Sequence, residues 1–163
     1  MPLYARDIMQ RNVLSVPPDM MIPELVDFLI SHRVSGVPVV EKGKVIGIVS
    51  RSDLVRAVSL ERSLAGVVAQ GFEQEEFAPG EAPLLPGLRS SAVQALEQRS
   101  VRAIMVAEPV CVAPDTPVAE VARLLVAKHM HRVLVTEGGQ LIGLISSLDV
   151  VRLVAEGKSG GNG

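Results

Sequence analysis

The chain carries one phrase twice. Val45–Asp53 reads VIGIVSRSD, and ninety-six residues later Leu141–Asp149 reads LIGLISSLD. The same shift aligns Arg6–Val58 with Arg102–Val154 without a gap, and about a third of the aligned positions are identical. Ile8-Met9 falls on Ile104-Met105, Val16 on Val112, and Pro18-Asp19 on Pro114-Asp115. Val37, Val39, Gly47, Ser50 and Asp53 fall on Val133, Val135, Gly143, Ser146 and Asp149. A gapless match of this length means two copies of one unit. A unit of about 55 residues buries too little surface to be secure alone.

Each copy has the same pattern of elements. A short extended piece (Val13–Val16, Val110–Val112) precedes a helical stretch, IPELVDFLISHR or PVAEVARLLVAKH. Ile22, Leu25, Val26 and Leu29 share one helical face, as do Val118, Val121, Ala122 and Leu125. Thr116-Pro117 suits an N-cap followed by Pro at the first helical position. The stretches from Val37 to Ser50 and from Val133 to Ser146 alternate around Lys42-Gly43 and Gly138-Gly139, as β-hairpins do. A second helix follows Ser50 or Ser146. It carries Leu54, Val55 and Val58, or Val150, Val151 and Val154. The expected class is α+β: two β-α-β-β-α repeats packed with pseudo-two-fold symmetry. The expected boundaries are 1–58 for repeat one, 59–100 for a linker and 101–156 for repeat two, with a disordered tail over 157–163. The linker is expected to have helical ends and an acidic loop at Phe72–Pro86.

The repeated phrase has two physical readings. Ser-x-x-Asp opening a helix is a capping box, in which Ser50 or Ser146 caps the backbone and Asp53 or Asp149 returns a hydrogen bond. Gly47 and Gly143 then permit close strand–helix packing. In the second reading the corner holds a nucleotide. Unpaired amides at a helix N-terminus favour a phosphate, and a nearby carboxylate can accept from a ribose diol. The glycine then lets a flat ring approach the backbone.

Taken together and in order, these motifs resemble the tandem CBS-domain pair, or Bateman module. The resemblance rests on Ile-Met, the V-x-V strand with Pro-Asp, the V-P-V-V hairpin of copy one, and Gly-aliphatic-x-Ser-x-x-Asp in both copies. It covers Arg6–Arg56 and Arg102–Arg152. It implies an adenosyl ligand (AMP, ADP, ATP or S-adenosylmethionine) in clefts between the repeats, with no cofactor required. Asp53 and Asp149 would contact ribose, and Ser50 and Ser146 phosphate. His131-Arg132 is similar to a phosphate-contacting pair of AMP-sensing members. Copy one has Ser35-Gly36 there, so Arg51 would replace that charge. Gly36, Val37 and Pro38 look like the wall on which adenine lies. The family also implies a homodimer, and a sensor role implies a separate effector protein.

Other classes are disfavoured. Cys111 is the only cysteine, so there is neither an intrachain disulfide nor a thiolate metal cluster. His129 and His131 are two apart and do not share a helical face. No nucleophile has a base at hand, so no catalytic residue is expected, nor a metal site. Net charge is −2 and aromatics are 2% of residues, which disfavours nucleic acid. No apolar run reaches the ~18 residues of a membrane span, and no leader pattern is evident. The expectation is therefore a cytoplasmic sensor. The alternative is a ligand-free dimerisation or docking module in which the motif residues only cap helices.

Overall fold

The computed structural model describes residues 2–60 and 93–158. The expected extension of the second helix past residue 60, the acidic loop and most of the tail lie outside the described residues. The chain is α+β, with helices α1 (Ala5–Ile8), α2 (Ile22–Ser31), α5 (Val101–Ile104), α6 (Val118–Ala127) and α7 (Ser147–Ala155). Helical turns α3 and α4 are described over 51–60 and 93–97. The strands are β1 (Gly36–Glu41), β2 (Lys44–Ser50), β3 (Val106–Ala107), β4 (Cys111–Val112), β5 (Arg132–Glu137) and β6 (Gln140–Ser146).

The chain forms two compact units that do not follow the repeat boundaries. One gathers Met1–Ser15, Val40–Gly47 and Ala107–Gly163, and the other Val16–Val39 and Ile48–Val106. We call them the copy-two and copy-one units. Each copy's leading segment therefore belongs to the unit of the other copy. Ala5 N–H donates to the Thr116 carbonyl at 2.8 Å, and Val118 N–H to Leu3 at 2.9 Å. The counterparts are Val101 N–H to Met20 at 2.8 Å and Ile22 N–H to Arg99 at 3.0 Å.

In the copy-two unit, β5 pairs antiparallel with β6, and β4 pairs parallel with β5. Its core gathers Ala5, Val112, Val121, Leu125, Val133, Val135 and Ile145, with Met9 and Val150 packed against it. Burying each larger aliphatic side chain contributes about 1.5–3 kcal/mol. In the copy-one unit, Val16 bridges Val39 in parallel. Ile22, Leu25, Leu29, Val37, Val49 and Val101 are buried there. The 3.6-residue stripe of α2 faces inward, and β2 and β6 alternate as the sequence requires, whereas β1 and β5 depart from the expected alternation and are buried on both faces over Val37–Val39 and Val133–Val135.

Three details depart from the sequence reading. Pro117, extended at φ −59° and ψ 138°, is itself the N-cap of α6, and no side chain caps it. Thr116 instead gives its carbonyl to Ala5. The four-residue helices α1 and α5 were not anticipated, being too short to show a period. On α7 the expected inward residues divide: Val150 packs on the core, while Val151 and Val154 are exposed. Val55 of α3 is exposed in the same way.

Candidate functional site

The two phrase corners can be built from the backbone outward. In the copy-two unit, β6 ends at Ser146 and α7 begins at the next residue. Arg132 pairs with Ser146 across the β5–β6 ladder. Ser147 N–H donates to the His131 carbonyl at 2.8 Å. The structure therefore brings His131, Arg132, Ser146 and Asp149 to one corner. In the copy-one unit Arg51 N–H donates to the Ser35 carbonyl at 2.9 Å. A Cβ added to Gly36 would sit 3.1 Å from Ser50 Cβ and from the Val49 carbonyl oxygen. Ser35, Gly36, Ser50, Arg51 and Asp53 therefore form the equivalent corner. Val37 and Pro38 adjoin it but are buried, Val37 at 2% exposure. They offer no open side-chain surface.

Both aspartates turn back onto their own helix starts. Asp53 Oδ2 accepts from Ser50 N–H at 2.8 Å and from Ser50 Oγ at 2.8 Å. Asp149 Oδ2 accepts from Ser146 N–H at 2.8 Å and Ser146 Oγ at 2.6 Å. Asp149 N–H in turn donates to Ser146 Oγ at 3.2 Å, completing a capping box. This geometry has two consequences. A hydroxyl has one proton, and each serine directs it to its aspartate rather than outward. The amides of Ser147, Arg51 and Asp149, which the sequence reading left open for an anion, already have acceptors.

The carboxylates keep one freer oxygen each. Asp53 Oδ1 accepts from Arg56 Nη1 at 2.9 Å, and that arginine is 69% exposed. Asp149 Oδ1 receives a long contact from Gln10 Nε2 at 3.4 Å, with Arg152 Nη1 at 3.8 Å. Gln10 also reaches Oδ2 at 3.3 Å. Sequence reasoning missed Gln10, because the aligned residue of the other copy is Val106 and the repeat carries no signal there. The two corners thus differ: one has an amide over its carboxylate, the other a guanidinium.

Burial pushes the Asp149 carboxyl up. The Ser146 hydroxyl and amide, then the Gln10 amide and the Arg152 charge, outweigh it and hold the group below the usual carboxylate range. A folded-state pKa that is depressed stabilises the fold above the unfolded value, about 3.9. That stability disappears as pH falls through the folded value. Urea midpoints should therefore drop below about pH 4, and Asp149→Asn should lose less over the same fall. At pH 7, Ser146→Ala should cost about 1 kcal/mol as a lost cap. Equal acid sensitivity of wild type and Asp149→Asn would refute the linkage.

The repeated glycine has a packing role. Gly143 lies under Met9, the residue that ends α1. An added Cβ would come within 2.8 Å of Met9 Cγ and 2.9 Å of Met9 Cβ, and closer still to Sδ. In this unit the space beside the glycine is filled by methionine, which is the close-packing reading of the motif.

Cys111 is half-buried. Burial raises its thiol, with a Thr136 hydrogen bond partly opposing the shift. Its Sγ–H donates to the Pro109 carbonyl at 3.4 Å, and the upward shift favours the thiol over the thiolate. Among the described residues no cluster of three His, Cys, Asp or Glu could hold a metal ion. Among them, too, no helix is long and apolar enough to cross a membrane.

Comparison with known proteins adds to this geometry. A family model described as CBS domain matches residues 5–60 and 101–156. Zinc metalloprotease MJ0392 of Methanocaldococcus jannaschii is 29% identical over 94% of this chain, which spans 32% of that protein. Across the curated relatives the chain spans between 14% and 42% of their length. CBSX2, a CBS-pair protein of Arabidopsis thaliana, has been solved in complex with AMP. That structure superposes with a TM-score of 0.67 at 22% identity, covering 95% of this chain and 98% of that one. The CBS domain pair of MJ0100 has been solved with 5′-methylthioadenosine and S-adenosyl-L-methionine. It gives a TM-score of 0.65 at 20% identity, over 97% of this chain and 100% of that one. At these identities the structural likeness concerns the fold.

Proposed function

The chain belongs to the CBS-domain family, and from that footing we propose that it is a regulatory module binding an adenosyl ligand at its two phrase corners. AMP, ADP, ATP and S-adenosylmethionine are the candidate ligands. The observation that carries this reading is the pair of buried aspartates, 5% and 8% exposed, each with Oδ2 saturated and Oδ1 held only by side chains that can swing away. A saturated Oδ2 fixes the carboxylate. The other oxygen can then accept from a ribose hydroxyl without losing the cap. Charge-assisted hydrogen bonds of this kind are the strong ones.

The corner geometry redistributes the roles. Ser50 and Ser146 orient the carboxylates. Phosphate contact falls to Arg51 in the copy-one corner and to His131 and Arg132 in the copy-two corner. Adenine lies against the backbone at Gly36, because Val37 and Pro38 have their side chains in the core. The bound AMP of CBSX2 and the adenosyl ligands of the MJ0100 pair support the ligand class. Binding regulates by favouring one conformation, and only by as much as its affinity differs between two states. The chain has no catalytic role in this reading.

A second reading has its own support. The Ser146–Asp149 capping box is a complete structural use of the motif. Leu148 and Val151, three apart on one face of α7, are 63% and 58% exposed. A ligand-free module would pair or dock through that face. In either reading we place a homodimer contact there. Val151→Asp should convert dimer to monomer in sedimentation equilibrium, and an unchanged mass would refute that contact.

Thermal denaturation against AMP, ATP and S-adenosylmethionine separates the readings. A ligand at one hundred times its Kd adds about 2.7 kcal/mol to stability. At least one compound should raise the melting temperature. If none does at millimolar concentration, the docking reading replaces the sensor.

A further inference from the structure

The carboxylate of Asp149 is too heavily engaged to take both hydroxyls of a ribose by itself. Its Oδ2 already receives Ser146 N–H at 2.8 Å, Ser146 Oγ at 2.6 Å and Gln10 Nε2 at 3.3 Å. A carboxylate oxygen has two lone pairs, so Oδ2 is full. Oδ1 faces Gln10 Nε2 at 3.4 Å and Arg152 Nη1 at 3.8 Å. Both lie beyond the ~2.7–3.2 Å of an ordinary nitrogen donor, which leaves room for one hydroxyl. The vicinal hydroxyl of the same sugar then needs a partner of its own, because a polar group desolvated without one is costly.

Gln10 stands beside that oxygen. Its backbone is fixed on β6: Gln10 N–H donates to the Leu144 carbonyl at 2.9 Å, and Leu144 N–H returns a bond at 3.0 Å. Its side chain is exposed and held to Asp149 only by the two long contacts. Among the described residues none donates to its Oε1. A primary amide has both a donor and an acceptor, so it can pair with a hydroxyl in either sense. The copy-one unit has no such group. The ninety-six-residue shift sets Val106 at the place of Gln10. Val106 begins β3, which pairs with β2 as Gln10 pairs with Leu144 of β6. Its side chain has neither donor nor acceptor. Asp53 Oδ1 instead receives Arg56 Nη1 at 2.9 Å, from a group with no acceptor.

We propose, on the footing of the adenosyl site above, that Gln10 determines the sugar specificity of the copy-two corner: it takes the ribose hydroxyl that Asp149 leaves over, so that this corner reads both. With the 2′-hydroxyl on Oδ1, the 3′-hydroxyl falls to Gln10. Calorimetry of AMP, 2′-deoxy-AMP and 3′-deoxy-AMP on Asp53→Asn, in which the copy-one corner is weakened, reads the copy-two corner. 3′-Deoxy-AMP should bind about three- to tenfold more weakly than AMP, the range for one neutral hydrogen bond. Adding Gln10→Val, which installs the side chain of Val106, should bring those two to equal affinity while 2′-deoxy-AMP keeps its penalty. In Asp149→Asn, which reads the copy-one corner, Gln10→Val should change nothing. Gln10→Ala serves if valine disturbs the bridge to Leu144. A 3′-deoxy penalty absent from Asp53→Asn, or one that survives the folded Gln10 variant, overturns the proposal. So does an effect of Gln10→Val on the copy-one corner, or the loss of both penalties together, which makes Gln10 only a support for Asp149. AMP that fails to bind Asp53→Asn overturns it too, and the proposed function falls with it only if no adenosyl compound binds wild type.

Discussion

Gly143→Val should lower the unfolding free energy by about 3 kcal/mol, the upper part of the range for overpacking a filled core. The size follows from what the new side chain meets. An ideal Cβ lies 2.9 Å from Met9 Cβ and 2.8 Å from Cγ. A clash at the far end of a methionine could be relieved by rotation, since its thioether chain is adaptable. A clash at Cβ requires the backbone of Met9 to move. That backbone is pinned: Met9 N–H donates to Ala5 at 2.9 Å, and Gln10 exchanges bonds with Leu144 at 2.9 and 3.0 Å. Valine also brings two more methyl groups. Urea unfolding should show a lower midpoint at unchanged slope. Met9→Ala in the same chain should recover part of the loss, a coupling on the order of 1 kcal/mol. Strict additivity would mean that Met9 is not what the glycine accommodates.

The second large effect is on the ligand. Asp53→Asn and Asp149→Asn should each weaken adenosyl binding at their own corner by about ten- to a hundredfold, the loss of one hydrogen bond to a charged acceptor. The asparagine retains one oxygen. Ser50 N–H and Oγ, or Ser146 N–H and Oγ, would hold that oxygen in the Oδ2 position. The amide NH₂ then stands where Oδ1 was. It presents donors to a ribose hydroxyl that itself needs an acceptor. The cap survives while the grip is lost, so affinity should fall far more than stability. A fall in stability with affinity intact would assign the aspartates to the caps alone.

Much of this architecture could be read from periodicity. The hairpins and the stripes of α2 and α6 appear twice in the sequence, and both copies adopt them, although only β2 and β6 alternate in burial, β1 and β5 being covered on both faces. The Ser-x-x-Asp capping box was equally legible, because its partners are three residues apart. What stayed hidden depends on contacts remote in sequence. The exchange of leading segments rests on backbone bonds between residues near Leu3–Arg6 and Pro114–Val118, which no side-chain pattern announces. Repeat alignment is unaffected by such an exchange, since it occurs in both copies. Gln10 over Asp149 spans 139 positions and has no counterpart in copy one. The glycine of the motif suggested room for either a ring or a helix, and only the position of Met9 decides for the copy-two unit. The division of α7 into a core-facing Val150 and exposed Leu148, Val151 and Val154 also escaped the hydrophobic count, because all four are aliphatic.

The central claim is that a fixed carboxylate oxygen grips a ribose hydroxyl. Calorimetry of AMP against 2′-deoxy-AMP, on wild type and on Asp53→Asn/Asp149→Asn, tests it most directly. The account predicts that wild type binds AMP at least about tenfold more tightly than the deoxy compound, and that the variant makes no distinction. Equal affinities for the two nucleotides in wild type, or discrimination that persists in the variant, would contradict it.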